Sequence, residues 1–567
     1  MSKTPPRTGD DVRVERSDER RSKTVSSDIS ERSLARGAAI ITIATAISRA
    51  TGFVRVVVVA GAMGTTFLAN TYQTANTAPN LLFELVAAGV LTSIFVPTFV
   101  EYLASNRRDE AWRAADALTS IALVAMLGLS LLVALGAPLI MRALTLGVDN
   151  DALRADEIAL GSTFLRLFSL QIVFYGAGMI MTSALHAYRR FAMPAIAPIF
   201  NNLVVIGAYL TYAIMRGDRD PSVEGITTGE TVVLGAGTTL GVVAMTVCLI
   251  PQLRRLGWRF RFRWNPSHPG VRKGARIGAW ALGYAGGYQA GLIVVLMLAN
   301  RVEGGVAAYQ WAYTFFYMPH ALFAVPVFNV LFTAMSEHVV AGEEEALLGR
   351  LRDGLRMLAF ILLPVAALML ATAEPVSQIT LDYGSMTRDG ASLVARVLAA
   401  FALGLPAYST FLVFTRAYYA LGDTRTPALV NAGTIAFGST LGAVFFFTFS
   451  EAWQVPGLAL GHSLGFAAGA IVLTKLFKKQ VGAIGSTKLA TSMTRSLTVA
   501  LFALVVMLVV RSLAPELSKT AYAVNFALTA GAGLGAYVGG MYLLRAPELR
   551  RLFGVLPERS TPARKRP

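Results

Sequence analysis

Apolar residues in this chain come in long runs rather than in short alternating or heptad patterns. Segments of the length needed to cross a bilayer, about 20 residues each, lie at 36–63, 70–103, 114–142, 158–188, 194–215, 231–253, 274–300, 306–336, 351–373, 391–420, 427–449, 455–477, 493–513 and 521–544. The pattern predicts an all-α polytopic membrane protein of about fourteen transmembrane helices, spans 1 to 14 in chain order. Several runs reach thirty residues, which implies tilt or extension beyond the hydrocarbon layer.

The connections sort by charge. With the N-terminus inside, the inside loops carry Arg107, Arg108 and Arg113, then Arg189 and Arg190, then the basic stretch 254–273, Arg425, and Lys478, Lys479 and Lys488. The C-terminal end adds Arg550, Arg551, Arg559, Arg564, Lys565 and Arg566. The outside loops are neutral or acidic: 64–69 has no charge, and 143–157 sets Asp149, Asp151, Asp156 and Glu157 against Arg154. Only 337–350, with Glu343, Glu344 and Glu345, breaks the alternation. Such a bias predicts an even number of spans with both termini cytoplasmic.

An internal repeat divides the spans. Pro79-Asn80-Leu81-Leu82-Phe83 recurs as Pro319-His320-Ala321-Leu322-Phe323, and Tyr175 with Met193-Pro194-Ala195 recurs as Tyr408 with Thr426-Pro427-Ala428. Spans 1–6 and 7–12 therefore correspond. Six is even, so two six-helix lobes share one orientation in a parallel repeat, and spans 13 and 14 are appended. The expected organisation is a disordered cytoplasmic tail at 1–35, an N-lobe at 36–253, a basic–aromatic loop at 254–273 and a C-lobe at 274–477, followed by spans 13 and 14 within 478–544 and a basic tail at 545–567. Two lobes around a central cavity are the layout of an alternating-access carrier, and Gly52, Pro79, Pro97, Pro319, Pro326, Pro364 and Pro406 are places where spans can bend.

Composition agrees. Hydrophobic residues make up 54% of the chain and charged residues 15%, against about 25% charged in a soluble domain. The net charge of +17 follows from the inside loops and calls for no nucleic acid. Trp258-Arg259-Phe260-Arg261-Phe262-Arg263-Trp264 interleaves aromatic and basic residues; between two spans on the inside, such a segment anchors at anionic lipid headgroups. The single Cys248 excludes an intramolecular disulfide. His186, His320 and His462 lack acidic neighbours, so neither a metal nor a cofactor is expected. The chain has no Gly-Lys-Ser/Thr phosphate loop, no HExxH and no Gly-x-Ser-x-Gly, and nothing in it points to an enzyme.

The chemistry concentrates in span 1, in Ser48-Arg49-Ala50-Thr51-Gly52-Phe53-Val54-Arg55. A charge at membrane depth costs several kcal/mol and is normally kept for a purpose. At 1.5 Å per residue, Arg49 lies about 20 Å and Arg55 about 28 Å from the start of span 1. Glu84 lies about as deep in span 2, where it is expected to pair with Arg55 as the only deep carboxylate. An unpaired guanidinium suits an anion, phosphate above all; the alternative is a buried ion pair or a bond to a carbonyl across the bundle. Gln73, Asn76, Asn80 and Glu84 share one face of span 2 and are expected against the cavity, or else they bond between helices. Arg166 is a further candidate for cavity charge, Arg416 is expected to snorkel, and Gly52 is the candidate hinge.

Ser48-Arg49-x-x-Gly52-Phe53-Val54-Arg55, Ala78-Pro79-Asn80-Leu81-Leu82 and Phe95-Val96-Pro97 resemble the MurJ (MviN) lipid II flippases of the multidrug/oligosaccharidyl-lipid/polysaccharide exporter superfamily. The resemblance spans nearly the whole membrane region. It implies transfer of lipid II, the undecaprenyl-linked peptidoglycan precursor, from the inner to the outer leaflet in cell-wall biosynthesis. It assigns Arg49, Arg55 and Asn80 to the cavity site and a tail-binding groove to spans 13 and 14. The sequence departs from the family at Val56, where an acid is common, and at Phe83, where a basic residue is common. It departs again at Thr314 and Tyr317, which stand where many members carry an arginine and an acid. The alternatives are a flippase for another polyprenyl-linked glycan, or a non-transporting scaffold that recruits cell-wall synthesis or division proteins.

Overall fold

The computed structural model describes residues 41–84, 108–264, 289–482, 484, 487–513 and 518–549, and these are helical with short turns. The first half of the chain forms α1 (Ile41–Met63), α2 (67–84), α3 (Arg108–Leu144), α4 (Asp151–Ser169), α5 (Gln171–Ala187), α6 (Ala192–Arg216), α7 (Thr228–Val247) and α8 (Ile250–Arg255). The second half forms α9 (Gln289–Ala299), α10 (Gly305–Pro319), α11 (Val325–Val340), α12 (Glu344–Leu381), α13 (Arg388–Ala420), α14 (Arg425–Thr448), α15 (Gln454–Val481), α16 (Thr487–Leu513) and α17 (Lys519–Leu543).

Among the described residues, 12 helical segments are long and apolar enough to cross a membrane. Spans 2 and 7 fall on α2 and α9, and the remainder of each, with Phe95-Val96-Pro97, lies outside the described residues. So do the tail 1–35, the part of the basic–aromatic loop after Trp264, and residues 550–567.

Boundaries differ from expectation where polar residues cap or extend a span. Span 4 begins at Asp151, because Asn150 Oδ1 accepts from the backbone N–H of Ala152 at 3.0 Å and of Leu153 at 3.1 Å. Span 9 runs from Glu344 to Leu381, about 57 Å at 1.5 Å per residue and well past a bilayer. Span 8 is interrupted by a π-helical turn, His320–Ala324, directly after Pro319. Proline has no N–H and its ring crowds the carbonyl four residues back, so the helix absorbs an extra residue there.

Two groups of helices pack within themselves. In one, α3 lies against α4 and α5, and α7 against α4, α5 and α6. In the other, α13 is surrounded by α10, α12 and α15, with α14 on α15. The appended pair α16 and α17 packs on itself and on α12, where Phe360, Ala367 and Ala371 meet Val499, Ala503 and Tyr537. Small residues set the tightest crossing. Gly438 and Gly442 on α14 face Gly461 and Gly465 on α15 at four-residue spacing, letting the backbones touch.

A methyl group at Gly461 would sit 2.5 Å from the Gly438 carbonyl oxygen. Gly461→Ala is therefore expected to push α14 off α15 and cost about 1–3 kcal/mol, read as a lower melting temperature of the detergent-solubilised protein. An unchanged melting temperature would show that the crossing relaxes freely.

Candidate functional site

A cavity of about 440 Å³ lies where the two helix groups meet. From the first group it is lined by Arg55 and Val59 of α1, Gln73, Asn76 and Asn80 of α2, Tyr175 of α5, and Tyr209 and Thr238 of α6 and α7. From the second come Tyr309, Gln310, Tyr313 and Thr314 of α10, Thr434 of α14 and His462 of α15. Among the described residues that line it, Arg55 is the one fixed charge and none is a carboxylate. Its guanidinium acts electrostatically on Tyr72, Tyr175 and Tyr209. Behind it, the Tyr72 hydroxyl bonds Tyr209 at 3.0 Å and Thr238 at 2.5 Å, so the wall is fully buried yet polar.

The residues predicted from sequence separate in space. Asn76 and Asn80 face the cavity as expected, with Asn80 Nδ2 donating to the Asn76 carbonyl at 3.2 Å and Asn76 Oδ1 buried without a partner. Glu84 does not pair with Arg55. It is exposed, and Oε2 accepts from Gln289 Nε2 of α9 at 2.7 Å. Level depth along two helices does not make two side chains face each other.

Arg49 is exposed, with its guanidinium carbon 5.4 Å from the centre of the Tyr317 ring, and Phe53 meets Phe315 edge-on one turn further along. Where the family resemblance places an acid, this chain offers Arg49 an aromatic face. Ser48 contributes its backbone carbonyl, which accepts from Asn202 Nδ2 of α6 at 3.2 Å. The helix runs unbroken through Gly52, where a methyl group would meet only Asn202 Nδ2, at 3.5 Å.

Arg166 is exposed and does not line the cavity. Two residues to either side, Phe164 and Phe168 pack on Tyr72, which turns position 166 to the opposite face of α4. Trp258 also departs from expectation. It is buried, stacked on Trp112, and donates from Nε1 to Asp116 Oδ1 at 2.9 Å, which leaves Phe260, Phe262 and Trp264 as the exposed aromatics of that loop.

One end of the cavity is sealed across the two helix groups. Asn70 of α2 donates to the Val302 carbonyl at 2.8 Å and accepts from the Val306 N–H at 3.0 Å. Thr74 bonds Asn300, and Gln310 Nε2 donates to Thr77 Oγ1 at 2.8 Å. The Tyr383 hydroxyl donates to the Val57 carbonyl, and the Ser385 N–H to the Gly61 carbonyl at 2.8 Å. Gly384, with φ of +62°, takes the left-handed turn that brings this loop onto Gly61. Arg49 and Glu84, by contrast, are both exposed.

The cavity also brings in residues without an assigned role in the sequence. Gln310 sits four before Thr314 on α10, a polar pair legible in principle from helical spacing. Tyr209 and Thr238 carry no such signal, and His462, which lacks the acidic neighbours of a metal site, gives no sign in the sequence of facing a cavity. Glu157 was placed with the outside loop; it lies within α4 and is fully buried, so Glu84 is not the only deep carboxylate.

The family described as lipid II flippase MurJ matches residues 59–532. A protein of Rhizobium tropici named probable lipid II flippase MurJ is 28% identical over 433 residues, covering 76% of this chain and 78% of its own. The lipid II flippase MurJ of Burkholderia cenocepacia is 25% identical over 434 residues, covering 76% of this chain and 81% of its own. A solved lipid II flippase MurJ in an inward closed conformation has a TM-score of 0.72 at 19% identity, over 89% of this chain and 99% of that one. An inward-facing MATE family transporter has a TM-score of 0.63 at 12% identity, over 77% and 95%. These likenesses establish a shared fold.

Asn70 is the most connected residue of the sealed end and is 0% exposed. Asn70→Ala is expected to shift the lobes toward opening there by about 1–3 kcal/mol, the cost of leaving buried groups unpaired. Thiol labelling of a cysteine placed at Thr65, in a Cys248→Ser background at fixed pH, should speed up correspondingly. Unchanged labelling would show that the seal does not depend on Asn70.

Proposed function

The chain belongs to the lipid II flippase MurJ family, and on that premise we propose that it carries lipid II across the bacterial cytoplasmic membrane by alternating access. The observation that carries this reading is a cavity between two lobes with Arg55 in its wall and no carboxylate among its described lining residues. A guanidinium offers five N–H donors in a fixed fork, which matches the oxygens of a pyrophosphate. Asn76 and Asn80 stand one turn apart on the facing helix and offer amides to the sugar–phosphate region. A carrier of cationic drugs would need the opposite polarity.

In this reading both termini are cytoplasmic and the sealed end faces outward. The substrate then enters from the cytoplasmic side, past Arg49 and Glu84. Arg49 draws the anionic head group in, and Arg55, deeper along α1, holds it. In the C-lobe, Thr314 and Tyr317 stand where a charged pair is common in the family, so Arg55 supplies most of the attraction. Phe260, Phe262 and Trp264, beside Arg259 and Arg261, rest at anionic headgroups of the cytoplasmic leaflet.

The function is tested in proteoliposomes loaded with lipid II in the inner leaflet. Protein-dependent appearance of the head group outside supports a flippase, and a folded protein giving no transfer supports a scaffold. Arg55→Ala is expected to slow transfer about 10–100-fold, the worth of a lost hydrogen bond to a charged group. Arg49→Ala should cost less because that residue is exposed. Growth of cells depleted of their own lipid II flippase reads the same order. Full activity with both arginines removed would contradict the assignment.

A further inference from the structure

Glu157 has no role in the cavity described above, yet its side chain is completely buried in α4. Oε1 lies 3.2 Å from Thr71 Oγ1 of α2, and Oε2 has no hydrogen-bond partner. Thr71 has a single hydroxyl proton, and its bond to the Phe67 carbonyl at 2.8 Å uses it. With that proton on the nearer carbonyl, both contacts are satisfied at once when a protonated Glu157 carboxyl group donates to Thr71 Oγ1.

The surroundings favour the neutral acid. Charged groups on the helices packed against it include Asp151, Arg154, Asp156 and Arg166 of α4 itself, Arg113, Asp116 and Arg142 of α3, of which Asp116 is paired with Arg263, and Glu230 of α7, which is paired with Arg219. On α2 the ionisable groups are Tyr72, which is next to Thr71 and bonds Tyr209 and Thr238, and Glu84, 13 residues beyond Thr71, which bonds Gln289. Among the described residues, none of the cations forms an ion pair with Glu157. A fully buried bare carboxylate with no donor from the protein would be strongly disfavoured at this point.

We infer that Glu157 is a proton-binding site whose neutral form is required for the end sealed by Asn70 and Thr74 to close. Position supports the coupling. Thr71 lies on α2 between those two sealing residues, and Gly161, one turn beyond Glu157, lets α2 press close to α4. Opening that end has to move α2, which carries Thr71 away from Glu157 and admits water. The hydrated acid then ionises, giving its proton to that water, and closure requires taking one proton back. The closed and open states thus differ by one bound proton, and each shifts the other's population.

Two measurements on the purified full chain in nanodiscs test this without any substrate, so they succeed or fail independently of the flippase assignment. In infrared spectra the wild type should show a protonated carboxylic acid C=O band that Glu157→Gln lacks; identical spectra would overturn the inference. Spin labels at Leu146 and Trp453 report the sealed end by pulsed EPR. In the wild type the closed-to-open ratio should fall by up to about tenfold per pH unit, the limit for one linked proton. In Glu157→Gln it should stay closed and independent of pH, and a retained pH response would overturn the inference. If that variant fails to fold, Thr71→Val should move the C=O band to higher frequency through loss of its acceptor. An unmoved band would count against the inference.

Discussion

A permanent positive charge inside a membrane protein has to be met by a carboxylate, by carbonyl oxygens or by something that brings its own negative charge. Among the described residues Arg55 meets no carboxylate, and the space it faces is a cavity rather than packed side chains. Much of the neighbouring architecture serves this condition. The Tyr72, Tyr209 and Thr238 hydroxyls give the wall behind the guanidinium a polar character while binding three helices together. The α2 amides complete a surface that is polar without being acidic. A carboxylate in place of Asn76 or Asn80 would neutralise the site and make it indifferent to anions.

The same helix that lines the cavity also closes it. On α2, Gln73, Asn76 and Asn80 turn to the cavity while Asn70, Thr74 and Thr77 hold the second lobe. Thr71 leans the other way, on Glu157. A single helix therefore touches the substrate space, the seal and a buried acid, and any rocking of the lobes changes all three together. Because bonds across the seal are individually modest, the closed state is firm but reversible, as a carrier requires.

The fold was largely legible in the chain. Run lengths located the helices long enough to span, because hydrocarbon thickness acts on sequence directly. The polar face of α2 followed from helical spacing, and Arg55 from the cost of its burial. What failed depends on rotation about helix axes and on neighbours remote in sequence. Arg166 sits opposite two core phenylalanines, Glu84 bonds a glutamine 205 residues away instead of an arginine, and Trp258 folds back onto α3. Glu157 was missed because a cluster of acids reads as a loop, whereas Asn150 caps a helix that carries the last of them indoors.

The central claim is that Arg55 holds the anionic head of a lipid-linked substrate, and direct binding tests it without the rest of the transport cycle. Native mass spectrometry of the detergent-solubilised protein, titrated with lipid II, separates bound from free protein. The account predicts a retained lipid II adduct in the wild type and in Glu84→Gln, and its loss in Arg55→Gln at the same melting temperature. Equal occupancy in Arg55→Gln and the wild type would contradict it.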